Sequence, residues 1–178
     1  MTLEQIPQSW WLLLASALLI YGSMAIESRI SSRHETSLRA RGAIEPIGDV
    51  WRVMAMVYPA GFAAMVIESA ARGGPSMRMF AGGLAIWGAA KLLKAWVIRS
   101  LGERWSFRVL VLPGAPLVAR GPYRIMRHPN YLAVIAEIAG AGTMLAAPTA
   151  CIVFIAAFVQ ILRRRIRVEE RALGLRNA

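Results

Sequence analysis

Residues 120 to 131 read Arg120-Gly121-Pro122-Tyr123-Arg124-Ile125-Met126-Arg127-His128-Pro129-Asn130-Tyr131. Three guanidinium groups, an imidazole and two phenols, broken by two prolines and a glycine, stand at the mouth of an apolar segment. Pro129 fits the first turn of a helix, where its missing N–H costs nothing. His128 then sits where unpaired backbone N–H groups and the helix dipole favour an anion. Arg124 and Arg127, three residues apart, add forked donors suited to a carboxylate or phosphate. Gly121-Pro122 makes a tight turn that lets backbone approach a flat ring, on which Tyr123 and Tyr131 can stack. The chemistry these groups suit is recognition of a polar, anionic ligand at a membrane surface. The plainer alternative is an Arg-rich loop resting on lipid head groups with tyrosines at the interface. The residues alone leave the two level.

A second cluster lies near the C-terminus: Arg163-Arg164-Arg165-Ile166-Arg167-Val168-Glu169-Glu170-Arg171. Arg165 and Glu169 share a helix face at i, i+4. Adjacent carboxylates in so basic a run are not required by charge asymmetry across a membrane. They read either as a solvated, self-paired helix end or as carboxylates turned inward toward a ligand with a positive centre.

The elements that must position these groups are apolar helices. The chain has 178 residues, of which 57% are hydrophobic and 17% charged, and its mean hydropathy is +0.48. A soluble domain of this length carries more charge. Five segments approach the roughly 20 apolar residues of a membrane span: 9–26, 50–67, 77–98, 131–147 and 149–162. The last two are short and meet at Pro148, which predicts a tight helical hairpin whose second helix runs on into the basic tail. The expected fold is an all-α integral membrane protein of five transmembrane helices.

The net charge of +11 describes topology rather than nucleic-acid binding, since no soluble basic domain is available. Arg29, Arg33, Arg39 and Arg41 follow the first span, and Arg72 and Arg78 separate the second from the third. Arg99, Arg104, Arg108, Arg120, Arg124 and Arg127 precede the fourth; Arg163, Arg164, Arg165, Arg167, Arg171 and Arg176 follow the fifth. With the N-terminus outside, sixteen of these eighteen arginines lie on the cytosolic side, as the positive-inside rule requires. The N-terminal segment carries Glu4 and no basic stretch, so it does not read as a signal peptide. One cysteine, Cys151, and two histidines, His34 and His128, predict neither a disulfide framework nor a metal site.

Other features carry simpler expectations. A short surface helix over 35–41 should end at Gly42. The run Val109-Leu110-Val111-Leu112, stopped by Pro113-Gly114, is too short to span and should pack at the interface. Lys91 and Lys94 should snorkel to the cytosolic interface. Glu137 must face the bundle or a cavity, which leaves open whether it lines the site. Trp10, Trp11, Trp51, Trp87 and Trp96 read as anchors or packing, and Gly82, Gly83 and Gly88 as sites of close helix approach.

Together the two clusters resemble the isoprenylcysteine carboxyl methyltransferase superfamily. The matching residues are Gly121-Pro122-Tyr123, Arg127-His128-Pro129 and Tyr131, then Arg165-Ile166, Glu169-Glu170 and Leu173. The resemblance implies an integral membrane methyltransferase using S-adenosylmethionine, with a cytosolic cofactor pocket built from the last two helices and their flanking loops. It implies that Gly121, Tyr123, Arg127, His128, Pro129 and Tyr131 line that pocket. It further implies that Arg165 and Glu170 sit near the acceptor and reacting centre. Ideal helix geometry instead puts Glu169 on the Arg165 face, where it suits the cofactor's amine or ribose.

Three further segments, 41–45, 101–105 and 111–118, resemble the bacterial branch of that superfamily associated with type III polyketide synthases. That branch methylates the ring hydroxyl of alkylpyrones or alkylresorcinols. The chain carries Val50-Trp51 where a His-Tyr pair is expected in the branch, and Tyr58 where a second histidine is expected.

The chain itself reads as a three-helix transmembrane scaffold, residues 1–98, and a region with nearly all the unusual chemistry, residues 99–178, within one integrated domain; the resemblance makes the second the catalytic region. It implies methyl transfer to an acidic oxygen (carboxyl, enol or phenol) of an amphiphilic small-molecule acceptor in the lipid bilayer, here the bacterial cytoplasmic membrane. No nucleic-acid partner is expected, and the oligomeric state is open. Two other classes stand beside it: an NADPH-dependent membrane reductase of the sterol-reductase kind, which shares an Arg-His-Pro-Asn-Tyr segment, and a non-enzymatic membrane adaptor.

Overall fold

A computed structural model describes residues 7–175; Glu4 and Arg176 lie outside them. The described residues form five helices: α1 (Gln8–Ala40), α2 (Trp51–Ala71), α3 (Met77–Leu101), α4 (Pro129–Met144) and α5 (Pro148–Ala172). Short 3-10 turns occupy Gly102–Arg104 and Gly121–Arg124.

α1 has 33 residues, about 50 Å at 1.5 Å per residue, well beyond the hydrocarbon thickness of a bilayer. No Gly or Pro interrupts it between Gly22 and Gly42, so the surface helix expected over 35–41 is the last part of α1. Gly42 follows the helix end at φ +82, a conformation that favours glycine. α1, α2 and the segment Met77–Arg104 are long and apolar enough to cross a membrane, and their most apolar stretches are only 11%, 17% and 28% buried. Apolar side chains turned outward to that extent suit lipid rather than water. α4 is different: with 16 residues it reaches about 24 Å and is the most enclosed helix. α5 continues from its apolar half into the basic tail, as its sequence predicts.

α3 and α4 run antiparallel in close contact. A Cβ at Gly83 would fall on the Met144 backbone, and one at Gly140 would lie 2.5 Å from the Trp87 backbone nitrogen. Gly82 and Gly88 have nothing within 4 Å of such a Cβ, so of the three α3 glycines only Gly83 closes the interface. The α4–α5 hairpin turns through Leu145-Ala146-Ala147, with Ala146 at φ 51. Glu68 of α2 caps the start of α5, its carboxylate accepting from Thr149 N (3.3 Å) and Ala150 N (2.6 Å). Phe62, Phe154 and Phe158 knit α2 to α5 edge to face. At the arginine-rich end, Ile44 and Val111 pair backbone to backbone. This ties the α1–α2 connection to the α3–α4 connection, with Val109 buried beneath.

Candidate active site

His128 is the residue before α4, with Pro129 at the first helical position. The end of α5 lies alongside. His128 Nε2 is 3.1 Å from Glu170 Oε1, and an ionised carboxylate can only accept, so the imidazole donates. The Tyr131 hydroxyl, one turn into α4, donates to Glu169 and accepts from Arg165 Nε at 3.2 Å. The His128 and Tyr131 rings stack at 5.5 Å. Both sequence clusters therefore meet, and both carboxylates face α4: Glu169 through Tyr131 and Glu170 through His128.

Arg165 is only 6% exposed. Its remaining donors reach Asp49 Oδ1 at 3.0 Å and the Phe107 carbonyl at 2.6 Å. Asp49 is as enclosed and also accepts from Trp51 N (3.1 Å) and Val109 N (2.9 Å). One carboxylate thus joins the start of α2, the 105–109 segment and α5. Its sequence signal was modest: an Asp two residues ahead of a helix start, placed to accept from that backbone N–H.

The remaining expected residues are less uniform. Gly121 adopts φ +60, and a Cβ there would collide with the Ser100 hydroxyl and lie 3.1 Å from Trp96 Nε1. Its requirement for glycine comes from contact with α3. Tyr123 is partly buried; burial first, and the nearby Glu169 charge second, hold its phenol well above the usual value, so it stays protonated. Arg127 and Arg124 are exposed.

Beside this cluster lies a cavity of about 330 Å³. Aromatic and thioether groups form about half of its wall, including Trp51, Trp105, Phe107, Tyr58, Met24 and Met54. Trp51 and Phe107 stack at 5.6 Å, so Trp51 packs in the cavity wall. The far end of α1 fixes this wall: Ser31 accepts from Phe107 N at 2.8 Å, and His34 Nδ1 is 2.8 Å from the Trp105 carbonyl. Arg165, Asn130, Tyr131, Glu27 and Lys94 add polar residues to the wall.

Glu27 and Lys94 belong to a charged quartet of which only Lys91 is partly exposed. Lys91 Nζ contacts Glu27 Oε1 (2.6 Å) and Glu137 Oε2 (3.1 Å). Lys94 Nζ contacts Glu27 Oε2 (2.9 Å) and both oxygens of Glu137 (2.8 and 2.9 Å). Tyr58 donates to Glu137 Oε2 at 2.9 Å. The expected snorkelling fails for Lys94, which is 3% exposed, whereas Lys91 pairs with the same carboxylates and keeps 19% of its side chain exposed. Two carboxylates, one on α1 and one on α4, pair with both ammonium groups, and for Lys94 the pairing offsets the desolvation that would otherwise drive it out. Glu137 faces the bundle as expected and supports the cavity from behind.

A model of the isoprenylcysteine carboxyl methyltransferase family matches residues 83–174, just over half of the chain. The chain belongs to that family. Family membership and three span-length apolar helices make it an integral membrane protein of a methyltransferase family. Two bacterial relatives extend the similarity beyond the family match. The uncharacterized protein YpbQ of Bacillus subtilis is 29% identical over 92% of this chain and 96% of its own length. An uncharacterized protein of Haemophilus influenzae is 30% identical over 82% of this chain and 85% of its own. No solved structure matches the chain. The family match spans α4, α5 and the preceding connection; Glu27 and Asp49, contributed by the N-terminal part, fall outside it.

Proposed function

We propose that this methyltransferase-family protein transfers a methyl group from S-adenosylmethionine to an acidic oxygen of an amphiphilic acceptor in the bacterial cytoplasmic membrane. The observation that carries the reading is the shared hydroxyl of Tyr131. It joins the carboxylate–imidazole cluster at the α4 start to Arg165 on the wall of an aromatic cavity. The reading includes five spans, the N-terminus outside and a cytosolic cofactor pocket, with residues 1–98 as scaffold and 99–178 carrying the transfer chemistry. The acceptor is the ring hydroxyl of an alkylpyrone or alkylresorcinol, as in the polyketide-associated branch.

The donor set suits the cofactor. Its carboxylate fits His128 and the helix start at Pro129, with Arg127 at the rim. Its amine and ribose fit Glu169, its adenine fits the Tyr123 and Tyr131 faces beside Gly121, and Glu170 lies at the reacting centre. When bound, S-adenosylmethionine supplies a methyl group on a cationic sulfur; the sulfur–carbon bond breaks as the oxygen–carbon bond forms.

The chain's own work is alignment and electrostatics. Arg165 holds the acceptor oxygen as an anion, and its three bonds fix the guanidinium plane before substrate arrives. Tyr131 separates cavity from carboxylates and keeps Glu169 oriented. The aromatic wall excludes water, so opposite charges on acceptor and donor are neutralised without competing solvent. A pyrone enol can arrive ionised, which removes the need for a strong base; a resorcinol hydroxyl, an ordinary phenol, would give its proton to solvent as Arg165 takes hold of the oxygen.

Titration of the detergent-purified protein with S-adenosylhomocysteine and with NADPH tests the cofactor, and transfer of label from S-adenosylmethionine to alkylpyrones, alkylresorcinols, prenylcysteines and a membrane lipid extract tests the reaction. Binding of S-adenosylhomocysteine and labelling of a ring acceptor are expected. Binding of NADPH alone, with reduction of a lipid alkene, would refute the reading.

A further inference from the structure

The charged and amide groups of the cavity wall are Glu27, Lys94, Arg165 and Asn130. Glu27 and Lys94 are spent on each other and on the rest of their quartet. The hydroxyl protons of Tyr58, Tyr131 and Ser106 go to Glu137, Glu169 and the Arg108 carbonyl. Arg165 uses one N–H on each of its three nitrogens, which leaves two of its five donors. Asn130 is the second residue of α4, and its Oδ1 accepts from Trp105 Nε1 at 3.2 Å. An indole N–H can only donate, so this bond fixes which end of the amide is oxygen. The NH2 end, with two donors, has no protein partner among the described residues.

If bracing Trp105 were the whole role of Asn130, an aspartate would serve as well. It too accepts, and its charge suits the first turn of a helix. An amide brings donors without charge. Those donors stand between the two halves of the site. Tyr131, next in the chain, is bonded to Arg165 at 3.2 Å; on the other side are Pro129 and His128, the residues assigned to the cofactor. An ionised oxygen has three lone pairs: one for Arg165, one for a second donor and one for the incoming methyl carbon.

Resting on the methyl-transfer reading, we infer that the Asn130 amide donates to the acceptor oxygen beside Arg165, so that the two side chains form one clamp for an oxygen anion. Trp105 sets the orientation of the amide. The clamp aims the remaining lone pair, and it favours the anion over its conjugate acid. An acceptor that enters as a hydroxyl then loses its proton to solvent more readily, and the protein itself takes up none.

An alkyl nitrophenol reads the clamp directly, because its anion is yellow and the phenol nearly colourless. The probe is titrated over pH with the full chain in detergent, with and without S-adenosylhomocysteine. Bound to the wild type, it should colour at lower pH than in detergent alone. Asn130→Ala removes the donor and should raise that midpoint by about one pH unit or more, a tenfold or larger loss in preference for the anion. Asn130→Asp keeps an acceptor for Trp105 and puts a charge where the donor stood. It should raise the midpoint at least as far while melting like the wild type. Both variants should lower kcat/KM for labelled methyl transfer by about tenfold to a hundredfold and change S-adenosylhomocysteine affinity by less than about threefold. A wild-type midpoint in Asn130→Ala overturns the inference. So does one in Asn130→Asp, which would mean that Asn130 only braces Trp105. A wild type that leaves the probe at its free midpoint overturns it as well and leaves methyl transfer standing. A protein that lowers the midpoint, loses that effect in both variants and yet binds no S-adenosylhomocysteine keeps the clamp and removes the methyl donor. If Asn130→Asp does not fold, the neutral alanine variant still decides.

Discussion

Arg165→Lys keeps the charge and removes the plane. The three acceptors of Arg165 lie around a fork: Tyr131 Oη at 3.2 Å, Asp49 Oδ1 at 3.0 Å and the Phe107 carbonyl at 2.6 Å. An ammonium is a single point and settles on the anion, Asp49. Two charge-assisted bonds are then lost, each about 1.5–3 kcal/mol. The Tyr131 bond is long and its hydroxyl keeps Glu169, so the lower end applies to it. The sum is about 3–4 kcal/mol, part of it spent on folding and part on the barrier. With about 1.4 kcal/mol per tenfold in rate, kcat should fall about 100-fold. Affinity for S-adenosylhomocysteine should change less than about threefold, since Arg165 faces the acceptor cavity. Arg165→Ala should do worse, because it strands Asp49 as an unpaired buried charge at about 3–5 kcal/mol. Removing both charges, Arg165→Met with Asp49→Asn, should recover thermal stability without recovering turnover. Steady-state kinetics with labelled cofactor, calorimetric titration and a melting curve read the three quantities. A lysine variant with near wild-type turnover, or one whose cofactor affinity falls as far as its rate, would refute this reasoning.

Three further outcomes are expected. His128→Ala removes the partner of Glu170 and should weaken S-adenosylhomocysteine binding about tenfold to a hundredfold, whereas exposed Arg127→Ala should cost no more than about fivefold; titration of both variants checks the order. Gly83→Ala drives a Cβ onto the Met144 backbone and should abolish the folded, ligand-binding form, while Gly82→Ala, open on all sides, should melt like wild type. In a background lacking Cys151, single cysteines at positions 4 and 175 should label from the outside and the cytosolic side respectively, and labelling of both from one face would sink the five-span topology.

The helices were legible because apolar runs act locally, as were the starts at Pro129 and Pro148, but the first span was read as ending at residue 26 where α1 runs on to Ala40. The convergence of the two polar clusters was legible only through their joint spacing, which the resemblance supplied. What escaped was set by partners far away in the chain. Glu27 lies 64 residues from Lys91, and Glu137 lies 43 from Lys94. A lysine late in an apolar run reads as a snorkelling end when its counter-ions are on other helices. Asp49 was not singled out, because nothing nearby in sequence announced Arg165, 116 residues on. Gly121 failed in the opposite sense. Its glycine requirement was read as room for a ligand, and contact with Ser100 and Trp96 explains it without one.

The placement of the buried charges follows from packing. Along the antiparallel α3–α4 interface the contacts step by about one helical turn: Gly83 against Met144, Trp87 against Gly140, and Lys91 and Lys94 against Glu137. Small residues draw the two backbones together at the far end, and that closeness fixes the register in which Glu137 reaches both lysines. Glu27 on α1 then completes the charge balance from a third helix. A one-turn slip of α4 would part Glu137 from Lys94 and press Trp87 against a side chain rather than Gly140. Electrostatics and sterics therefore select the same register. A Cβ at Gly83 or Gly140 must part the two helices and carry Glu137 away from both lysines, so the steric clash and the loss of the buried ion pairs fall together, which is why Gly83→Ala is expected to cost the fold.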